Sequence, residues 1–185
     1  MPWIHQIEPD VATGPLREIY ENITGARGKV ANIIKVHSLN PKAMRAHMDL
    51  YLSIMFDRGG LSRQECEMIG VVVSAANGCN YCVNHHAAAL NAYWKDDDKL
   101  KRFMDDPESV ELSERVAAML AYAVKLTRTP AAMVEHDVER FRRVGLNDEQ
   151  VLNVALIAAY FNFVNRVALG LGVEFNDREV EGYRY

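Results

Sequence analysis

The chain has 185 residues, of which 49% are hydrophobic, and it carries a formal net charge of −4 at pH 7. A chain of this length and composition can bury a sizeable core and is predicted to fold as one domain. Its slightly negative net charge argues against nucleic acid and against an anionic membrane surface as partners.

The first residues and the cysteine content bear on location. The opening segment MPWIHQIEPD lacks a basic stretch followed by an apolar run. No segment approaches the roughly 18 uninterrupted apolar residues of a membrane-spanning helix. We therefore predict a cytoplasmic protein. The chain has three cysteines, an odd number, and in that reducing compartment a close C-x2-C pair is more typical of a catalytic or metal-binding site than of a structural disulfide.

Apolar residues recur with helical spacing along the whole chain. After Pro41, which suits a first helical position, Met44, Met48 and Met55 fall on one stripe. No segment shows the sustained two-residue alternation typical of a strand. The fold class is therefore predicted to be all-α, with a single domain over residues 1–185. The predicted helices cover residues 13–24, 41–57, 62–77, a segment from 79 onward, 112–126, 131–143 and 147–169.

Two helix starts in the chain resemble each other. The segment GLSRQE at 60–65 matches GLNDEQ at 145–150, and in each an N-capping residue is followed three positions later by Glu or Gln. Continued without gaps, this alignment places Val164 opposite Cys79. We predict a degenerate internal repeat, with a motif-bearing core in 41–95 and a second copy in 130–172 that lacks the reactive residues. Coincidence is the alternative, because capping boxes are common.

Four reactive side chains, Glu67, Cys79, Cys82 and His86, form the pattern E-x11-C-x2-C-x3-H. Asn77-Gly78 is expected to end one helix, so that Cys79 opens the next and shares a face with Cys82 and His86. The amino terminus of a helix lowers the pKa of a cysteine. An antiparallel helix pair would bring the Glu67 carboxylate beside His86, which could then take a thiol proton.

The pattern from Glu67 to His86 resembles the core motif of alkylhydroperoxidase D (AhpD) in the carboxymuconolactone decarboxylase superfamily. The motif spacing matches throughout, and a looser similarity to the peroxidase-related branch extends over most of 41–172. The resemblance implies a thiol-dependent peroxidase that reduces small organic hydroperoxides in an antioxidant role. In it, Cys82 would be the peroxidatic residue, Cys79 the resolving residue, and Glu67 with His86 the proton relay.

The resemblance has further implications for cofactor and partners. No prosthetic group or metal is expected. A dithiol or a lipoylated protein would restore the thiols, and the subunits would associate into trimers or hexamers. Decarboxylases of the superfamily generally lack the C-x2-C pair, so the pair argues against decarboxylation.

The chain departs from the family pattern next to the second cysteine. The best-known members carry a histidine there, whereas this chain has Tyr81, and an additional His85 follows Asn84. Tyr81 and His85 are therefore candidate pocket residues, and the departure allows either a different proton relay or a weaker activity.

Other interpretations of the same residues remain open from the sequence. Zinc could be held by the two motif cysteines and His86, with Glu67 or Cys66 as the fourth ligand, although structural zinc usually has a second ligand pair elsewhere. A non-catalytic sensor that responds to redox state or metal could use the same cluster. We interpret Cys66 as a packing residue, and we expect structural or surface roles for His37 and His47.

Overall fold

A computed structural model describes residues 2–57 and 59–175. The fold is all-α and forms a single domain, as predicted. The sequence did not indicate α2, which has four residues, or α6, whose only buried side chain is Phe103. The helices within the described ranges are α1 (Gly14–Arg27), α2 (Asn32–Lys35), α3 (Pro41–Phe56), α4 (Arg63–Ala76), α5 (Asn80–Trp94), α6 (Asp97–Asp105), α7 (Glu114–Arg128), α8 (Glu135–Arg143) and α9 (Asp148–Gly170).

The start of α8 differs from the predicted start at residue 131. Pro130–Ala132 form a short 3-10 turn, and the helix begins only at Glu135. The reason is a local cap, because the carboxylate of Asp137 accepts a 2.9 Å hydrogen bond from the backbone N–H of Val134.

Helices α4 and α5 form the hairpin that carries the motif. At the start of α4, the Ser62 hydroxyl accepts from the Glu65 backbone N–H at 3.2 Å, and the Glu65 carboxylate accepts from the Ser62 N–H at 2.6 Å. The helix ends at Asn77, as predicted, and Gly78 turns the chain with a φ of +69°. Glycine adopts this left-handed conformation without steric cost. Cys79 is the N-cap residue of α5, so both motif cysteines lie at the start of that helix.

The second predicted capping box is also present, at the start of α9, where Asn147 and Gln150 exchange the same pair of hydrogen bonds. α4 and α9 pack against each other. The alignment of the two helix starts pairs Asn77 with Asn162, and the Asn77 amide donates to Asn162 Oδ1 at 3.2 Å. That the two halves descend from one repeated unit stays a prediction.

Helix α9 is the central helix of the core. It packs against α3, α4 and α7 and buries Ile157, Phe161 and Val164 among other apolar side chains. The Phe161 ring lies directly on the backbone of Gly70, where a Cβ atom would come within 2.7 Å of the ring. By length and composition alone α9 could cross a membrane, but part of its apolar surface, including Ile157 and Phe161, is buried in the helical domain.

Candidate active site

A buried carboxylate links the two helices of the hairpin. Glu67 is completely buried, and its Oε2 accepts a 2.6 Å hydrogen bond from Nδ1 of His86. Its Oε1 accepts a 2.7 Å bond from Nε of Arg63. Burial alone would raise the pKa of Glu67, but His86 and Arg63 outweigh burial and lower it. The carboxylate is therefore ionised and holds the His86 ring in place.

The orientation of His86 fixes which of its nitrogens can take a proton. Because Nδ1 donates to Glu67, Nε2 is the nitrogen that can accept a proton. The Phe161 ring meets the imidazole edge-on, with 4.4 Å between ring centroids. Phe161 is held in turn against Gly70, so the imidazole has a fixed position.

Arg63 is the partner that sequence analysis missed. Its guanidinium also donates to the Met55 carbonyl and to the Tyr51 hydroxyl, each at 3.3 Å, and lies 4.1 Å from the Phe56 ring centroid. The signal in the sequence was the four-residue spacing between Arg63 and Glu67, which places the two side chains together on one helix face.

The two motif thiols are close together and buried. The Sγ atoms of Cys79 and Cys82 are 2.9 Å apart, and both thiols are free. The hydrogen bond from the Cys82 thiol lowers the pKa of Cys79. The same bond, together with burial, raises the pKa of Cys82 far above that of a free thiol. Of the two thiols, Cys79 is therefore the more acidic, and it also lies at the helix amino terminus.

An amide from α9 completes the surroundings of the thiols. Asn165 is fully buried, donates to the Ser74 hydroxyl at 3.0 Å and accepts from the Asn77 amide at 2.9 Å. Its hydrogen bonds also lower the pKa of Cys79 and counteract the rise at Cys82. Sequence analysis missed Asn165, because it reaches the thiols only through the packing of α9 on the hairpin.

A cavity that is partly open to solvent lies beside Cys82. Of the candidate site residues, Cys82, His86, Tyr81 and His85 line it, whereas Glu67 and Cys79 do not. The Tyr81 hydroxyl accepts a 3.1 Å bond from the backbone N–H of Ile33, and the His85 ring lies 4.2 Å from the Tyr81 ring, centroid to centroid. Its remaining lining is mostly apolar: Ile23, Arg27, Lys29, Ala31, Ile33, Ile34, His47, Met48, Tyr51, Ala89, Tyr160 and Val164.

Cys79 borders a second, shallower pocket on the other side of the thiol pair, together with Gly78 and Asn80. The third cysteine, Cys66, lies on α4, and its side chain is completely buried in the hydrophobic core of the domain. Within the described ranges, no three His, Cys, Asp or Glu side chains converge as metal ligands do. The zinc interpretation therefore receives no geometric support from this part of the chain.

A directed chain of hydrogen bonds leads away from the cavity. His37 Nδ1 lies 2.8 Å from the Ile33 carbonyl, which can only accept, so Nδ1 carries the hydrogen. His37 Nε2 then accepts from His47 Nδ1 at 3.3 Å, and His47 Nε2 accepts from the Tyr160 hydroxyl at 2.7 Å. Both rings must be neutral for this arrangement. Burial supports that state, since it lowers the pKa of His37 and lowers the pKa of His47 to about 3.

We expect His47 to make the fold acid-sensitive. Its pKa in the folded state is about 3, below the 6.5 or so of an unfolded chain, so protonation favours unfolding as the pH falls between these values. Each pKa unit is worth about 1.4 kcal/mol, so the loss should reach several kcal/mol. Urea denaturation of the wild type between pH 7 and pH 4 measures it.

The matched variants separate His47 from other histidines. His47→Gln should flatten the pH dependence of the unfolding free energy. His136→Gln, which changes an exposed histidine on α8, should leave it unchanged. An equal slope in the wild type and in His47→Gln would contradict the assignment.

Comparison with known proteins shows the family and the fold of this chain. The sequence profile of the carboxymuconolactone decarboxylase family matches residues 41–125. A crystal structure of an alkylhydroperoxidase AhpD core, an uncharacterized peroxidase-related protein from Ralstonia eutropha JMP134, is 30% identical. The alignment covers 97% of this chain and 94% of that one, with a TM-score of 0.87. The chain belongs to the AhpD-like carboxymuconolactone decarboxylase superfamily.

Other AhpD-like structures show how widely the fold is used. An uncharacterized peroxidase-related protein from Silicibacter sp. TM1040 is 30% identical, with a TM-score of 0.84 over 98% of this chain and 99% of that one. The debrominase Bmp8, solved in complex with 2,3,4-tribromopyrrole, is 20% identical, with a TM-score of 0.78 over 94% of this chain and 91% of that one. At that identity Bmp8 shares the fold alone. The AhpD-like fold therefore serves more than one reaction.

Proposed function

We propose that this protein is a thiol-dependent peroxidase that reduces small organic hydroperoxides. The observation that carries the proposal is the position of Cys82, which lines an apolar cavity beside His86 while its sulfur lies 2.9 Å from that of Cys79. A cysteine open to the cavity can attack a peroxide, a second sulfur within reach can resolve the product, and an oriented base can move the proton.

The first step uses Cys82 and His86. Cys82 gives its proton to Nε2 of His86, and the imidazolium is stabilised by the Glu67 carboxylate, 2.6 Å from Nδ1. The Cys82 sulfur attacks the terminal peroxide oxygen, the O–O bond breaks, and the leaving alkoxide takes the proton from His86. The products are an alcohol and a sulfenic acid on Cys82. Access to the cavity assigns this attack to Cys82, although Cys79 is the more acidic thiol.

The second step uses the charge on Cys79. Its thiolate attacks the sulfenic sulfur, the S–O bond breaks and a disulfide forms. The hydroxide that leaves takes up from solvent the proton that Cys79 released on ionisation and becomes water. An external dithiol, such as dihydrolipoamide or a lipoylated protein, then reduces the disulfide by thiol exchange and is itself oxidised. The low pKa of Cys79 suits this residue to the resolving role.

Steady-state turnover tests the proposal. The protein should consume many equivalents of cumene hydroperoxide when dihydrolipoamide is supplied, and the rate should depend on both reagents. A non-catalytic redox sensor would consume one equivalent and stop. Because Bmp8 has the same fold, release of bromide from 2,3,4-tribromopyrrole belongs in the same screen, and turnover there without peroxide turnover would replace the proposal.

Mild oxidation should link Cys79 to Cys82 and leave Cys66 reduced. The sulfurs of Cys79 and Cys82 are already 2.9 Å apart, whereas Cys66 is enclosed in the hydrophobic core of the domain. Peptide mapping after one equivalent of peroxide checks this expectation. A product with Cys66 as the main linked cysteine would refute the pairing.

Exposed apolar side chains on α3 and α9 support a homo-oligomer. Apolar side chains that are between 39% and 57% exposed lie on these neighbouring helices: Leu50, Leu52, Phe56, Leu152, Leu156, Phe163 and Leu169. Burial of such side chains between subunits is favourable. We place this antioxidant reaction in the cytoplasm, in a trimer or hexamer, and sedimentation equilibrium measures the assembly.

A further inference from the structure

The cavity over Cys82 has an uneven charge distribution. Among the described residues that line it, Arg27 and Lys29 carry formal positive charges, and none is acidic. The chain as a whole has a net charge of −4, so this positive region is local. Most of the remaining wall is apolar, with Ile23, Ile33 and Met48 as examples.

The two cationic residues come from one short segment. Arg27 is the last residue of α1, Gly28 turns the chain with a φ of +87°, and Lys29 follows. This turn directs both side chains to the same cavity. Because the turn needs the left-handed conformation, glycine at position 28 is suited to the placement.

The charge of Arg27 reaches the interior of the cavity. Its guanidinium carbon lies 4.9 Å from the Tyr51 ring centroid and 5.8 Å from that of Phe56. Its charge also acts on the Tyr160 hydroxyl, whose pKa it lowers against the larger effect of burial. Cys82 acts on the same hydroxyl. Arg27 and Cys82 both line this cavity.

We propose that this cavity selects organic hydroperoxides that carry a carboxylate on an apolar body. The inference rests on the proposed peroxidase function and names its substrate class. The peroxide group lies at Cys82, the apolar body lies against the aliphatic wall, and the carboxylate binds Arg27 and Lys29. A guanidinium suits a carboxylate, because its N–H groups match the two oxygens and it is weakly hydrated.

The kinetic test compares two substrates that differ in one group. Cumene hydroperoxide is neutral, and its para-carboxylate has the same reacting group and body. The wild type should show a higher kcat/KM for the carboxylate, and Arg27→Met should reduce the ratio of the two kcat/KM values by about tenfold to a hundredfold, as expected for loss of a hydrogen bond to a charged group. Arg27→Lys, which keeps the charge, should retain part of the ratio.

A surface arginine on the same helix provides the control. Arg17 on α1 is 64% exposed and pairs with Glu21, so Arg17→Met makes the same charge change away from the cavity and should leave the ratio unchanged. Equal kcat/KM values for the two substrates in the wild type would overturn the proposal, as would an unchanged ratio in Arg27→Met.

A binding measurement separates this inference from the proposed function. Calorimetry with 4-isopropylbenzoate and its neutral amide needs no turnover, and the benzoate should bind more tightly in an Arg27-dependent manner. If that preference is found and no peroxide is consumed, the selectivity stands and the peroxidase proposal fails. If peroxides are consumed and the benzoate shows no preference over the amide, the peroxidase proposal stands and the selectivity fails.

Discussion

Cys82→Ser is expected to abolish peroxide consumption completely and to leave no sulfenic acid to trap. Cys82 is the thiol that lines the cavity, and a serine hydroxyl cannot be oxidised in its place. Cys79→Ser should behave differently, because the attacking thiol remains. It should consume one equivalent of peroxide, accumulate a sulfenic acid on Cys82 and then stop. Dimedone labelling followed by peptide mapping distinguishes the two outcomes.

Acidity and access to the cavity favour different sulfurs as the attacking atom. The hydrogen bond between the sulfurs lowers the pKa of Cys79, whereas Cys82 is the thiol that lines the apolar cavity beside His86. Cys66→Ser is the control and should retain turnover, because Cys66 lies in the core. A sulfenic acid on Cys79 in the Cys82→Ser protein would reverse the two roles.

Arg63→Met should destabilise the fold by about 3 kcal/mol or more, which is the range for removing one partner of a buried ion pair. Arg63 and Glu67 are 5% and 0% exposed at a separation of 2.6 Å. Methionine keeps much of the length of the arginine side chain, and among the described residues it leaves His86 as the side-chain partner of the buried Glu67 carboxylate. Urea denaturation at pH 7 gives the change in unfolding free energy.

An ion pair between α4 and α7 provides the control for this prediction. Arg115 and Glu65 are 27% and 12% exposed, so Arg115→Met should cost no more than about 1 kcal/mol. The double variant Arg63→Met with Glu67→Gln should be more stable than Arg63→Met alone, because it removes the buried charge left without its cation. A loss below 1 kcal/mol in Arg63→Met would contradict the assignment of a buried pair.

The parts of the fold that the sequence predicted are those set by local chemistry. The capping boxes at Ser62 and Asn147 depend on residues three positions apart, and the turn at Asn77-Gly78 depends on two neighbours. Local patterns of this kind can be recognised without knowledge of the rest of the chain. The contact between Glu67 and His86 was predictable because the turn position fixes how the two helices lie together.

The parts that the sequence did not predict depend on packing between distant segments. Asn165 follows Cys82 by more than 80 residues in the chain. In the sequence nothing distinguishes it from another asparagine in an apolar helix. We expected structural or surface roles for His47 and His37, but His47 lines the cavity and joins Tyr160 to His37. Contacts between residues so far apart in the chain leave no periodic pattern in the sequence, so they can be seen only in the folded structure.

The placement of Tyr160, Phe161 and Asn165 within two turns of α9 has a consequence for molecules that are damaged or partly unfolded. On the proposed mechanism, one helix supplies part of the cavity wall, the side chain that holds the imidazole, and the amide beside the thiols. If α9 separates from the hairpin, these contributions disappear in a single event. Partial denaturation would then yield an inactive enzyme, since the thiols would no longer have the neighbours that direct them toward peroxides.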